Sequence, residues 1–120
     1  TTEGVNAQGG FVEIPLIKGA WKTQANSPVR DGVTYAYCAP EHVAAEMDRL
    51  IAIHADHINR NVPSEVQAAW LHHRFTQIHP FQDGNGRVAR AIASLVLVKD
   101  GLFPLVVTRD DKPAYLGALE

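Results

Sequence analysis

The chain has 120 residues, of which 46% are hydrophobic and 20% charged, a composition typical of one globular domain rather than of a disordered or fibrous chain. Its formal net charge is −2, so no basic excess indicates binding to nucleic acid or to an anionic membrane. Cys38 is the only cysteine, which excludes an intrachain disulfide and a cysteine metal cluster and fits a reducing, cytoplasmic location.

Membrane insertion is not expected either. The longest uncharged apolar stretch, residues 91–98, is too short to span a bilayer, and no secretory signal pattern opens the chain. Because the chain starts at Thr1 without a methionine, we expect it to be a fragment of a longer protein that folds as one domain over residues 1–120.

The first third of the chain is predicted to contain turns and short strands. Residues 1–10 are polar and rich in glycine, which predicts a loop or tail. Residues 11–17 have a β-like composition, but Pro15 would confine a strand there to a sheet edge. Residues 19–28 are irregular. Over residues 29–37 an Asp-Gly pair stands between β-prone arms, which predicts a two-residue hairpin.

The remainder of the chain is predicted to be helical. Apolar residues at helical spacing predict a first helix over residues 41–58, and Pro63 precedes a second helix that Ser64 can cap. The second helix carries one apolar stripe, formed by Ala68, Leu71, Phe75 and Ile78.

Two further helices are expected after the break at Pro80. The third runs from Gly86 or Arg87 to about Lys99, with Gly101 as its C-terminal stop. It is apolar almost all round, which is typical of the middle of a bundle. Residues 111–120 resemble the start of another helix, so the fold class is mainly α.

The loop between the second and third helices concentrates polar chemistry in "HPFQDGNGRVAR", residues 79–90. Arg87 and Arg90 lie in the first turns of a helix, where a cation is disfavoured by about 0.3–1 kcal/mol, so the pair indicates an anionic ligand. Residues 84–86, Gly-Asn-Gly, allow the backbone to approach that ligand, and successive amides at a helix start bind phosphate oxygens. Arginine pairs bidentately with phosphate.

Two residues beside this cradle suggest a reaction. Asp83 would repel phosphate unless a cation lay between them, and Mg²⁺ is commonly held by one or two carboxylates together with substrate phosphates. A neutral imidazole at His79 can act as a general base. Together these groups predict phosphoryl or nucleotidyl transfer, in which positioning and charge neutralisation contribute most of the catalysis.

The same twelve residues resemble the signature of the Fic family, H-x-F-x-[DE]-G-N-G-R-x-x-R, at every position that the pattern specifies. The segments at residues 29–43, 68–77 and 115–120 also resemble the flap hairpin, the helix that leads to the motif and the helix that follows it. The resemblance implies the Fic fold, a helical bundle around a central buried helix with a small β-hairpin flap, and protein adenylyl transfer with ATP as co-substrate.

The resemblance also implies a role for each matching position. His79 would deprotonate a Ser, Thr or Tyr hydroxyl of a target protein, and Asp83 would hold Mg²⁺ against the α- and β-phosphates. Asn85 and the amides around Gly84 and Gly86 would cradle the phosphates.

The outer positions complete this expected site. Arg87 would engage the β-side oxygens, Arg90 would reach the γ-phosphate, and Tyr115 would line the adenine pocket. The target protein would pair with the flap as an extra strand. The flap residues expected to align it are Val33, Thr34 and Tyr35.

Many Fic proteins are restrained by a helix with the pattern [S/T]-x-x-x-E-[G/N]. Glu3 and Gly4 match only the tail of that pattern, and the glycines around them argue against a helix. We therefore expect restraint to come from a partner protein or from an inhibitory helix outside this chain.

Three alternatives are compatible with the sequence. The same site supports transfer of another nucleotide or phospho-group, or removal of AMP, in some relatives. A binding module that senses nucleotide or captures peptides would need neither His79 nor Asp83. A metal-dependent phosphohydrolase built on the histidines, including His72 and His73, would need a third protein ligand that no fixed spacing supplies.

Overall fold

The computed structural model describes residues 2–5, 11–14, 18–26, 29–30, 33–34, 36–107 and 111–118. Their regular elements, in chain order, are β1 (Thr2–Val5), β2 (Phe11–Ile14), β3 (Val29–Arg30), β4 (Val33–Thr34), α1 (Val43–Asn59), α2 (Ser64–Ile78), α3 (Asn85–Lys99) and α4 (Lys112–Ala118). A single 3₁₀ turn, Pro40–His42, leads into α1. The mainly α prediction is therefore confirmed.

The four strands form two small antiparallel hairpins. β1 pairs with β2, so that Thr2 lies opposite Ile14, and β3 pairs with β4, so that Val29 lies opposite Thr34. The second pair confirms a hairpin within residues 29–37, although its strands are only two residues long.

The prediction of a loop or tail over residues 1–10 is wrong for Thr2–Val5, which is strand β1. The stretch contains a glycine and has weak strand propensity, so its conformation depends on pairing with β2, which local composition does not reveal. Glu3 thus lies in a strand, which agrees with the expectation that it is not part of an inhibitory helix.

The three long helices share one apolar core. α2 packs against both α1 and α3, and its predicted stripe is fully buried. The core residues are Val43, Met47, Leu50, Leu71, Phe75, Ile78 and Ala89. A central helix is therefore present, but among the described residues it is α2 and not the predicted α3.

The position of α3 follows from its small residues. Ala89 and Ala93 are buried. Their small side chains allow the backbone of α3 to come close to α2, against which α3 packs. On the other side of α3, Leu95 and Val98 are 54% and 50% exposed. Although α3 is apolar almost all round, only one of its sides is buried within the described part of the chain.

The predicted cap of α2 is absent, whereas the predicted stop of α3 is present. Ser64 is the first residue of α2 and makes no cap; its hydroxyl donates to Oδ2 of Asp100 at 2.7 Å, at the end of α3. Gly101 adopts a φ of 77°, which agrees with its predicted role as the stop of α3. Within the described residues, no helix is both long and apolar enough to cross a bilayer.

Candidate active site

The candidate site is the loop between α2 and α3, and it begins at His79. This residue caps the C-terminus of α2 in a left-handed conformation, with φ 52° and ψ 57°, and its N–H donates to the carbonyl of Phe75 at 2.9 Å. Histidine is among the few non-glycine residues enriched in this conformation.

The imidazole of His79 contacts Thr76 and Tyr37. Nδ1 lies 3.1 Å from the carbonyl oxygen of Thr76, and the ring of Tyr37 stacks on it with centroids 4.0 Å apart and planes 14° apart. Because a carbonyl oxygen only accepts, Nδ1 carries the proton in this hydrogen bond, and Nε2 of the neutral ring is then a proton acceptor. The role of His79 as a general base stays a prediction.

The predicted phosphate cradle lies at the start of α3. Gly84 is the N-cap residue of this helix, with φ 81°, and it makes no side-chain cap. The first amides of a helix have no intrahelical partner and point outward, where they attract an anion. Of the two glycines in residues 84–86, Gly84 has a positive φ and Gly86 lies within α3. Phosphate binding at this helix start stays a prediction.

Both arginines of the motif lie over glycines. A Cβ at Gly84 would come within 3.1 Å of Nη2 of Arg87, and a Cβ at Gly86 within 3.2 Å of Nη1 of Arg90. The two guanidinium groups therefore occupy space that the missing side chains leave at the helix start. Arg87 is exposed and Arg90 is partly buried, so cationic groups flank the cradle.

The side chain of Asn85 is directed inward and is only 3% exposed. Its Oδ1 accepts from the N–H of Phe81 at 2.8 Å, and its Nδ2 donates to the carbonyl of Phe81 at 2.7 Å. The side chain of Asn85 therefore closes the loop. Only the backbone amide of Asn85 is still predicted to contact a phosphate.

Asp83 is exposed at the tip of the loop. Among the described residues, no three His, Cys, Asp or Glu side chains come together to hold a metal ion. A single exposed carboxylate beside a phosphate cradle fits Mg²⁺, which takes its other ligands from phosphates and water. Because no such group of three side chains is found among the described residues, the alternative of a histidine-based phosphohydrolase has no metal site there.

Tyr115 and His72 form a second polar pair. The hydroxyl of Tyr115 shares a hydrogen bond of 2.6 Å with Nε2 of His72, and the two rings meet edge to face. This bond attaches α4 to α2, so Tyr115 has a structural contact in addition to its predicted place beside adenine. His72 is buried, which agrees with the preference for a supporting role over metal binding.

The predicted flap is described only in its backbone. Val33 and Thr34 form β4, and Tyr35 lies outside the described residues. Tyr37, which follows the flap residues, stacks on His79. No local pattern could have revealed this stacking, because it joins residues on different elements.

Comparison with known proteins identifies the family of this chain. The sequence model of the Fic/DOC family matches residues 6–97, which is more than half of the chain. The chain belongs to the Fic/DOC family.

Individual Fic relatives match over shorter stretches. A Fido domain-containing protein of Dictyostelium discoideum is 53% identical over 45 residues, 37% of this chain and 32% of that protein. Protein adenylyltransferase fic-1 of Caenorhabditis elegans is 27% identical over 81 residues, 68% of this chain and 16% of that enzyme. A Fic domain-containing signalling protein of Bacteroides thetaiotaomicron superposes with a TM-score of 0.83 at 34% identity, covering 87% of this chain and 40% of that one. The chain thus spans less than half the length of each of these relatives.

The cradle of this Fic domain can be tested at Gly84. We expect Gly84→Ala to cost about 1–2 kcal/mol of stability for the left-handed backbone alone, and also to displace the guanidinium of Arg87, which the new Cβ would meet at 3.1 Å. Nucleotide affinity, measured by calorimetry, should fall accordingly.

Gly101→Ala is the matched control. Gly101 has a similar φ of 77°, but a Cβ there meets nothing within 4 Å. Both variants should lose similar stability, while only Gly84→Ala should lose nucleotide affinity. Equal affinities in the two variants would contradict the proposed closeness of Arg87 to the ligand.

The stability of the domain is expected to fall in mild acid because of His72. Burial, followed by the charges of Arg90 and His73, lowers the pKa of His72 below its ordinary 6.5. As the pH falls through about 6.5, His72 of the unfolded chain binds a proton while His72 of the folded chain stays neutral. The free energy of unfolding therefore keeps its full value above pH 6.5 and decreases as the pH falls towards the lowered pKa.

Urea unfolding at about pH 7.5 and about pH 5.5 measures this loss. His72→Gln should reduce the difference between the two pH values without abolishing it, because burial also lowers the pKa of His54. The exposed His42→Gln is the control. If both variants kept the full difference, His72 would not be its source.

Proposed function

We propose that this chain transfers AMP from ATP to a Ser, Thr or Tyr hydroxyl of a target protein. The observation that carries the proposal is the orientation of His79: its Nδ1 donates to the carbonyl of Thr76, so Nε2 of the neutral ring is the proton acceptor. A base held in this way suits the removal of a proton from a hydroxyl. Relatives that bear the name protein adenylyltransferase support the same reaction class.

In this proposal Nε2 of His79 takes the hydroxyl proton while the hydroxyl oxygen attacks the α-phosphorus of ATP. A bond forms between that oxygen and the α-phosphorus, the bond from the α-phosphorus to the bridging oxygen breaks, and pyrophosphate leaves. The developing negative charge lies where preorganised amides and cations lower the barrier.

The start of α3 would bind the phosphates. The amides around Gly84 and Gly86 would receive the α- and β-phosphate oxygens, with Arg87 on the β-side and Arg90 towards the γ-phosphate. This assignment follows the motif, and the closeness of each guanidinium to its glycine supports it. Tyr115 would lie on the adenine side.

Mg²⁺ is the proposed cofactor, with Asp83 as its protein ligand. When bound, it would neutralise charge on the phosphates as the pyrophosphate departs. Asp83 is exposed and adjoins the cradle in sequence, so its carboxylate would be accessible to a hydrated ion.

The proposed partner is a protein that presents an extended segment to the flap. β3 and β4 form a hairpin only two residues long on each side, and a short hairpin has an edge at which another strand can pair. The stacking of Tyr37 on His79 connects this region with the base, so a segment aligned there would lie near the imidazole.

The test uses ATP radiolabelled at the α-phosphate, with Mg²⁺ and a cell lysate as the source of targets. Label should appear on protein bands that lysate without the chain does not show, and ATP labelled at the γ-phosphate should give no bands beyond those that the lysate alone produces. Additional bands labelled from the γ-phosphate would show phosphoryl transfer instead. Binding of ATP without any transferred label, from ATP or other nucleotides, would favour a non-catalytic module.

A further inference from the structure

The segment that precedes the flap contains a buried lysine. Lys22 is only 4% exposed, which is unusual for a residue whose charge is normally kept in water. Its Nζ donates to Oδ1 of Asn26 at 2.7 Å and lies 3.4 Å from the carbonyl oxygen of Ile78. Burial lowers the pKa of its ammonium group, and the nearby Cys38 acts in the opposite direction.

Residues 21–26, which we call the strap, lie along the catalytic loop. The N–H of Lys22 donates to the carbonyl of Pro80 at 2.7 Å, and Nδ2 of Asn26 donates to the carbonyl of Phe81 at 2.8 Å. With the contact of Lys22 to Ile78, the strap meets backbone carbonyls on both sides of His79. The ring of Trp21 also packs against that of Phe81, with centroids 5.4 Å apart.

The location of the ammonium group has an electrostatic reason. Ile78 is the last residue of α2, and the C-terminal end of a helix carries a partial negative charge that favours a cation. Its carbonyl belongs to the peptide group shared with His79.

A charge buried at this position is costly to desolvate, and an apolar residue would hold the strap against the core at least as well. Stability alone therefore does not account for the choice of lysine.

We propose that Lys22 and Asn26 are positioning residues that hold the backbone on both sides of His79 and so orient its imidazole for proton transfer. Neither residue is assigned a contact with nucleotide or target. The inference deepens the proposed function and rests on it, but the orientation of the ring can be measured without any turnover.

The variants are Lys22→Met, which keeps most of the apolar length of the side chain, and Asn26→Ala. Their controls are Lys18→Met and Gln24→Ala, two exposed positions of the same region. Because a small misplacement of a reacting group can cost up to about 100-fold in rate, we expect kcat for AMP transfer to fall by roughly 10- to 100-fold in both variants. The KM for ATP should stay at the value of the controls.

Nitrogen NMR of the His79 ring gives a second measurement on the full chain without nucleotide. Wild type and controls should show one tautomer, protonated at Nδ1, while Lys22→Met and Asn26→Ala should show shifts averaged between tautomers. Unchanged ring signals together with unchanged kcat would overturn the proposal, as would a fall in thermal stability with kcat and ring signals intact.

The two measurements separate this inference from the proposed function. If the wild-type chain transferred no AMP, the proposed reaction would fail, while the ring signals of the strap variants would still decide whether Lys22 and Asn26 orient His79. If Lys22→Met failed to fold, Asn26→Ala would decide the question alone.

Discussion

Replacing His79 by alanine is expected to reduce AMP transfer by about 10²- to 10⁴-fold, the usual contribution of a general base. The imidazole contacts the carbonyl of Thr76 and the ring of Tyr37, so alanine removes the proposed proton acceptor together with these contacts. Binding of ATP should persist, because the cradle at the start of α3 does not depend on the imidazole.

The left-handed backbone at His79 requires a second variant. Alanine tolerates a φ of 52° less well than histidine, so His79→Ala also perturbs the loop. Asparagine is enriched in this conformation and has no basic nitrogen, so His79→Asn should lose the same activity with less loss of stability. The exposed His42→Ala is the control. Substantial transfer by His79→Asn would contradict the role of the imidazole as the base.

Replacing Asn85 by alanine is expected to lower the free energy of unfolding by about 2–4 kcal/mol, because it removes two hydrogen bonds and leaves the N–H of Phe81 without its partner. The carbonyl of Phe81 keeps the donor from Asn26. Chemical denaturation measures this loss, and Asn59→Ala at the exposed end of α1 is the control.

The same substitution should lower activity through the shape of the loop. Asn85 closes the chain between Phe81 and the start of α3, so without its side chain the loop loses a constraint between the base and the cradle. Asn85→Asp keeps an acceptor for the N–H of Phe81 but places a second oxygen against the carbonyl, so it should also be unstable. Equal stability of Asn85→Ala and Asn59→Ala would show that the inward contacts are unimportant.

Features with a local cause were predictable from the sequence. The stripe of α2 follows from helical periodicity, and the stop of α3 at Gly101 follows from the conformational freedom of glycine. The Gly-Asn-Gly-Arg stretch predicted a helix start at Gly86 or Arg87, and α3 begins at Asn85. Family membership was also predictable, because the motif is contiguous and the family model confirms it.

Features that depend on packing were not predictable. Ser64 was expected to cap α2, but its hydroxyl reaches Asp100, 36 positions away. Asn85 was assigned to phosphate, but its side chain turns into the loop. Strand β1 forms by pairing with β2. The polar, glycine-rich composition of residues 1–10 gave no indication of this pairing.

The sequence by itself therefore determined which helices form, where the motif meets the start of α3 and which family the chain belongs to, since each of these depends on neighbouring residues. Only the tertiary structure decided the surroundings of His79. The contact between Lys22 and Ile78 spans 56 positions, and that between Tyr115 and His72 spans 43. Such contacts arise because burial of the α2 stripe brings distant segments together, after which buried polar groups must find partners in whatever segment lies beside them.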